Sequence, residues 1–214
     1  IFNEDVPVNT APSFTSESTF SAAENQTAIG TVTATDADGD SVTFTVSGSD
    51  ADSFAISSSG VLTFNNTPDY ETKDSYSLII TASDGTASVS QTVTIAISNI
   101  NEVPQISALS SNQLPDENQL SVVTVSASDP DASTTLTYSL SGTDSSLFAI
   151  SSSGVITFSS APDYETPGDT DGDNNYQINV VVSDGSLSVT QAITVKVQNV
   201  ADLISGVAVD GYVA

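Results

Sequence analysis

Phe54-Ala55-Ile56-Ser57-Ser58-Ser59-Gly60-Val61 recurs without a substitution as Phe148-Ala149-Ile150-Ser151-Ser152-Ser153-Gly154-Val155. At the same spacing, Pro68-Asp69-Tyr70-Glu71-Thr72 returns as Pro162-Asp163-Tyr164-Glu165-Thr166. Upstream of these blocks Glu24-Asn25-Gln26 returns as Glu117-Asn118-Gln119, and downstream Ser83-Asp84-Gly85 returns as Ser183-Asp184-Gly185. The second copy is longer only between its last two blocks, around Gly168 to Asp173. A period of this length marks a tandem duplication, and each copy is long enough to be a domain.

Inside each copy the apolar residues alternate with period two, and no stretch shows helical spacing. Val42, Phe44 and Val46 form one such set, and Tyr76, Leu78, Ile80 and Ala82 a second. Val93, Ile95 and Ile97 form a third, and Leu136, Tyr138 and Leu140 carry the pattern into the second copy. About seven short strands per copy, separated by turns of Asp, Gly, Ser and Pro, predict an all-β chain of two tandem Greek-key β-sandwiches, seven-stranded and antiparallel. We expect residues 12–103 and 104–201 to be the two repeats. Residues 1–11 read as the end of a preceding repeat with its linker, and 202–214 as the start of a following domain or tail. The junction Asn99-Ile100-Asn101-Glu102-Val103-Pro104 has no Gly/Ser run and is unlike a flexible linker. With neither an initial Met nor a signal peptide, the chain reads as an interior excerpt of a longer protein.

The chain has 214 residues, with 27 Asp plus Glu against two Lys and no Arg, for a formal charge of -25. Nothing here can displace counterions from a nucleic acid, and nothing supplies polybasic docking on an anionic membrane. No apolar run approaches the length of a membrane-spanning helix. The sequence lacks Cys, His, Met and Trp, which removes disulfides, thiol catalysis and the preferred ligands of zinc. Lys73 and Lys196 are the only candidate amine bases, and the clustered acids fall on cation-binding patterns, so we expect no enzyme. Any ligand must be met by oxygen.

The acids are clustered between strands. In Asp69-Tyr70-Glu71 two carboxylates one residue apart point the same way while Tyr70 turns toward the core. Asp129-Pro130-Asp131 has the same form, and Asp184 follows the sixth strand of its copy. In a seven-stranded sandwich the E–F loop lies at one pole and the B–C and F–G loops at the other. Glu24, Asp69, Glu71, Glu102, Asp129, Asp131 and Asp184 are thereby expected around one short junction. Unit charges ~4 Å apart repel by ~4 kcal/mol at an effective dielectric of 20. A hard divalent cation resolves that repulsion, and loose cages of carboxylate and carbonyl oxygen suit Ca²⁺ better than magnesium.

Glu near the second strand, Asp-x-Glu, Asp-x-Asp, Asp-Gly after the sixth strand and the Asn/Pro junction together resemble cadherin repeats in their bacterial form, over about residues 12–202. The resemblance implies calcium at each junction, held centrally by Glu24, Asp69, Glu71, Asn99, Asn101, Glu102, Asp129, Asp131 and Asp184. Asn99 stands where the family has its first junction Asp, and Val103 where it has its last Asn. At the N-terminal junction Thr10 replaces an acid beside Asp36, Asp38 and Asp84. At the C-terminal end Glu117, Asp163, Glu165 and Asp202 form half a cage. The insertion Asp169-Thr170-Asp171-Gly172-Asp173 resembles other calcium loops, although its Gly comes too early for an EF-hand. It reads equally as an enlargement of the lower cage, a separate ion site, or a solvated loop. The family role implied is calcium-dependent adhesion at a bacterial cell surface or outside the cell. Homophilic repeat–repeat contacts or a glycan are the partners, and a passive calcium-stiffened spacer is the alternative.

Overall fold

The computed structural model describes residues 8–131 and 134–201. The chain divides into two compact units, residues 1–100 and 101–214. The expected tail from 202 onward, with Asp202, and residues 1–7 of the expected preceding linker lie outside the described residues.

The first unit contains β1 (Ser13–Phe14), β2 (Thr19–Ala23), β3 (Ala28–Thr31), β4 (Ala34–Thr35), β5 (Thr43–Ser47), β6 (Phe54–Ile56), β7 (Val61–Phe64), β8 (Ser75–Ser83) and β9 (Ser88–Ser98). The order β2-β9-β8-β5 forms one sheet and β3-β7-β6 the other, with β1 paired to β4. These segments are seven strands, because the first and second are each broken in two. The second strand breaks at Val32, which is buried and donates its N–H to Gly60 O at 2.8 Å. All pairs are antiparallel except β2 with β9, which run parallel.

The second unit repeats this plan. Its strands are β10 (Gln105–Ser107), β11 (Asn112–Gln113), β12 (Ser121–Thr124), β13 (Ser126–Ser128), β14 (Thr137–Ser141), β15 (Phe148–Ile150), β16 (Val155–Phe158), β17 (Asn175–Ser183) and β18 (Ser188–Lys196). The sheets are β11-β18-β17-β14 and β12-β16-β15, with β10 on β13 and a parallel β11–β18 pair. A single 3-10 turn precedes the fourth strand of each unit, at Ala51–Ser53 and Ser145–Leu147.

Period-two alternation builds both cores. Along β8, Leu78, Ile80 and Ala82 are buried and Tyr76 packs beside them, while Ser75, Ser77 and Ile79 face outward. Across the register Tyr76 meets Ile95 and Leu78 meets Val93. Phe54, Phe64 and Tyr76 close one end of the core, with ring centroids 4.6 to 5.4 Å apart. Phe148, Phe158 and Tyr176 do the same in the second unit at 4.5 to 5.7 Å. Phe44 and Val46 of β5 pack on the first core; the strand itself starts at Thr43, one residue after Val42.

Gly60 and Gly154 sit at positive φ, 85° and 80°, where the turn after the fourth strand passes against the broken second strand. A Cβ at Gly60 would lie 2.0 Å from Val32 O, and at Gly154 2.4 Å from Val125 O. The repeated Ser-Ser-Ser-Gly block is therefore a backbone-contact motif, which is why it is identical in both copies. Gly60→Ala combines a strained φ with a backbone clash and should cost roughly 2–4 kcal/mol. Gly39→Ala has a comparable φ of 85° but open space around it. It should cost less by thermal denaturation, and equal losses would show that the contact with Val32 is unimportant.

Candidate metal centre

Four clusters of oxygen ligands form, two on each unit. At one end of the first unit the buried Glu24 accepts N–H from Tyr70 (2.9 Å) and from Ile100 (2.8 Å), one on each carboxylate oxygen. An oxygen of Glu71 lies within 4.8 Å of one on Glu24, and Asn99 Nδ2 donates to Glu71 at 3.2 Å. Asp69 is committed locally, accepting from Thr72 N–H (2.9 Å) and the Thr72 hydroxyl (3.0 Å).

The second unit reproduces this end. Buried Glu117 accepts N–H from Tyr164 (3.0 Å) and Val200 (2.8 Å), and Asn199 Nδ2 donates to Glu165 at 2.6 Å. Glu117, Asp163 and Glu165 each place an oxygen within 4.8 Å of the others. The N–H groups of Tyr164 and Val200 hold the Glu117 carboxyl below the usual carboxylate range. Each carboxylate oxygen has lone pairs left after one N–H bond, so the cluster can still ligate.

At the opposite end of the first unit, Asp36 Oδ1 accepts N–H from Asp38 (2.8 Å) and Asp40 (3.3 Å). Asp38 accepts the Thr10 N–H at 2.7 Å. Asp84 accepts N–H from Ala87 (2.6 Å) and Thr86 (2.7 Å) on one oxygen and Asn9 Nδ2 (3.0 Å) on the other. In the second unit Asp129 accepts the Asp131 N–H (2.9 Å), and Asp131 accepts the Glu102 N–H (2.8 Å). Asp184 accepts from Ser186 and Leu187 N–H (2.5 and 2.6 Å) and from Asn101 Nδ2 (2.8 Å). Thr10 thus uses its backbone as Glu102 does, so the loss of an acid there leaves the loop intact.

The donor chemistry fits a hard cation. Asp36 Oδ2 and Asp129 Oδ2 are buried with no hydrogen-bond partner, at matching positions in the two units. A carboxylate oxygen shut away from water without a donor is costly, and a cation is the partner that removes the cost. Ordinary turn-capping accounts for the other oxygen of each Asp but not for these.

In the insertion Asp169, Asp171 and Asp173 each bring an oxygen within 4.8 Å of the others. Hydrogen bonding to Asp169, together with the charge of Asp173, pushes the Asp171 carboxyl above the ordinary Asp range. Among the expected ligands, Glu24 with Glu71, Glu117 with Asp163 and Glu165, and Asp169 with Asp171 and Asp173 bring carboxylate oxygens within 4.8 Å, whereas Asp69 is turned to Thr72 and Asp202 lies outside the described residues. Asn9 and Asn199, outside the ligand set expected from the sequence, match Asn101 and Asn99 in position. Tyr70 packs on the core as its alternation requires, but Tyr164 is 37% exposed. The insertion follows it, and Asn174 Nδ2 donates to the Tyr164 carbonyl at 2.9 Å.

The family model of the cadherin domain matches residues 18–98. Human protocadherin-24 EC1-2 is 22% identical with a TM-score of 0.66, over 89% of this chain and all of that one. Mouse cadherin-23 EC22-24 is 27% identical with a TM-score of 0.57, over 89% of this chain and 65% of that one. Drosophila N-cadherin EC1-4 is 22% identical with a TM-score of 0.63, over 89% and 50%. Comparison with curated proteins finds no match. Residues 18–98 thus match the cadherin domain, and the fold is that of cadherin-like repeats. No helix among the described residues is long and apolar enough to cross a membrane.

The N–H donors of Ala87 and the Asn9 amide depress Asp84, and the Asn101 amide with the N–H groups of Leu187 and Ser186 depresses Asp184. A carboxylate depressed in the folded state binds protons less readily there than in the unfolded chain. Its stabilisation is complete above the unfolded value near ~4 and is lost as pH falls through the lower folded value. In chelator, the melting temperature should be level from about pH 7 to 5 and then drop steeply below about pH 4. Asp184→Asn should make that drop shallower; an unchanged profile would mean that these bonds do not contribute.

Proposed function

We propose that this chain is a calcium-binding stretch of a bacterial surface or secreted adhesion protein, stiffened by calcium at the inter-repeat junction. The observation that carries the reading is the pair of buried, partnerless carboxylate oxygens, Asp36 Oδ2 and Asp129 Oδ2. Each lies among an Asp-x-Asp, an Asp-Gly and a junction Asn, an all-oxygen donor set that suits calcium. At the central junction the ligands would be Glu24, Asp69, Glu71 and Asn99 from the first repeat. The second would add Asn101, Glu102, Asp129, Asp131 and Asp184. The formal charge of -25 supports the need for millimolar cations, and a chain without Cys suits an exterior where metal replaces disulfides.

Calorimetric titration of the chelated chain should show calcium binding. At ~1 mM calcium and a dissociation constant near ~0.1 mM, each site adds ~1.4 kcal/mol. Small-angle scattering should change from a broad to a narrow, extended distance distribution on adding calcium, and Asp131→Ala should abolish that change with both sandwiches folded. No heat together with an unmoved melting temperature would overturn the calcium reading. Bead aggregation tests the adhesive role. Clumping that requires calcium supports homophilic contact, and a glycan-array signal supports a glycan partner. Neither in either condition would leave a calcium-stiffened spacer.

A further inference from the structure

The two units offer an internal comparison at one matching carboxylate, half-buried in the first and buried in the second. In the first, Asp50 accepts from the Lys73 ammonium at 2.6 Å and from the Ser77 N–H at 2.9 Å. In the second, the matching Asp144 is 4% exposed and accepts the Gln177 N–H (2.7 Å), the Thr170 N–H (3.0 Å) and the Thr170 hydroxyl (2.7 Å). Counting from the block before it, Lys73 aligns with Pro167; counting from Tyr76 and Tyr176, it aligns with Asp173. Neither is cationic. The insertion that supplies Thr170 also adds a second buried carboxylate, Asp169, at 8% exposure. Where the first unit pairs one acid with an ammonium, the second gathers acids alone.

We propose that the loop Asp169–Asn174 binds one divalent cation, calcium by its donors, at a site internal to the second unit and independent of the junction reading. Asp169, Asp171 and Asp173 converge to within 4.8 Å on three carboxylate oxygens. A separate observation comes from Asn174, which is 9% exposed. Its N–H donates to Asp169 Oδ1 (3.2 Å) and its Nδ2 to the Tyr164 carbonyl (2.9 Å), which fixes the orientation of the amide. Its Oδ1 is then buried with no partner. Residues 162–176 contain no Lys or Arg, so a bound cation is the partner that would serve the carboxylates and the amide oxygen. Asp at the first, third and fifth positions is the ligand pattern of twelve-residue calcium loops, which turn sharply at the sixth. Here the sixth position is Asn174, with φ 62°, so the turn is present although Gly172 stands two residues early.

The test is hydrogen exchange on the full chain, chelated and then titrated with calcium alone, with magnesium as the contrast. Amides 169–176 should exchange on the order of tenfold more slowly at a calcium concentration about ten times the dissociation constant. The protection should persist in Asp131→Ala, and Asp171→Asn/Asp173→Asn should remove it along with one calcium per chain in equilibrium dialysis. Both residues are exposed, and exchange within β17 and β18 reports whether the double variant is folded; Asp171→Asn alone is the milder second variant. If residues 99–104 respond to calcium and 169–176 do not, this site is overturned while the junction stands. If only 169–176 respond, this site stands and the junction reading falls. Silence in both regions overturns both.

Discussion

A carboxylate is driven into one end of each sandwich with both oxygens on backbone N–H groups, and the surrounding turns are organised by it. Glu24 takes its donors from Tyr70, in the turn after β7, and from Ile100, where the chain leaves β9. Its own N–H is bonded to Ser98 O, and the Asn25 N–H to Pro68 O, so residues 24 and 25 tie two distant segments, 68–70 and 98–100, together. Glu117 and Asn118 make the same four bonds to Tyr164, Val200, Gln198 and Pro162. Burial of an ionised carboxylate is unfavourable unless donors replace water, and here two are fixed by the sheet framework. Asn25 and Asn118 accept the left-handed conformation that this demands, with φ of 61° and 60°. The Asp-Tyr-Glu turn is held in place by that clamp, so the acids around it are positioned by the fold itself.

The distribution of charge follows from the same division of labour. β8, β9 and β17 carry no charged residue, and β18 carries only Lys196 at its end. Their outward faces are mainly Ser, Thr, Ala and Asn, linked in places across strands, as in the 2.8 Å bond between the Thr81 and Ser90 hydroxyls. Nearly all the repulsion within a chain of charge -25 is thereby exported to turns and ends. The sheets are stabilised by apolar burial and are indifferent to cations. The ends are where like charges lie closest together, so added positive charge would act most strongly on their geometry.

Much of this was legible in the residues, because duplication and period two are both strong signals. The alternation in Tyr76 to Ala82 gave the inward face of β8 directly, and the repeated Asp-Tyr-Glu and Asp-x-Asp blocks marked where acids gather at the ends of each unit. Other features depended on contacts that no local pattern encodes. Burial of Glu24 is set by N–H groups far away in the chain. The parallel pairing of β2 with β9 follows from the first strand switching sheets after Phe14, and nothing in Thr19–Ala23 announces it. Tyr164 lies in the same five-residue block as Tyr70, yet Tyr70 packs on its core and Tyr164 is exposed. Identical local sequence fixed the turn but not what packs on it.

Asp50 and Asp144 show how one fold meets the same electrostatic demand in two ways. Each is the residue before a 3-10 turn, and each accepts an N–H from the start of the sixth strand, Ser77 or Gln177. The first takes its remaining compensation from a covalently attached ammonium, present at every ionic condition. The second takes it from Thr170, whose N–H and hydroxyl both donate to one oxygen. Neutral donors can replace water around a carboxylate, but they do not cancel its charge, and the loop that brings them adds Asp169, Asp171 and Asp173. Burial acts to raise Asp144, and the N–H of Gln177 with the donors of Thr170 outweighs it, so the group stays ionised beside a second buried acid. The insertion therefore exchanges a fixed internal cation at this position for local negative charge.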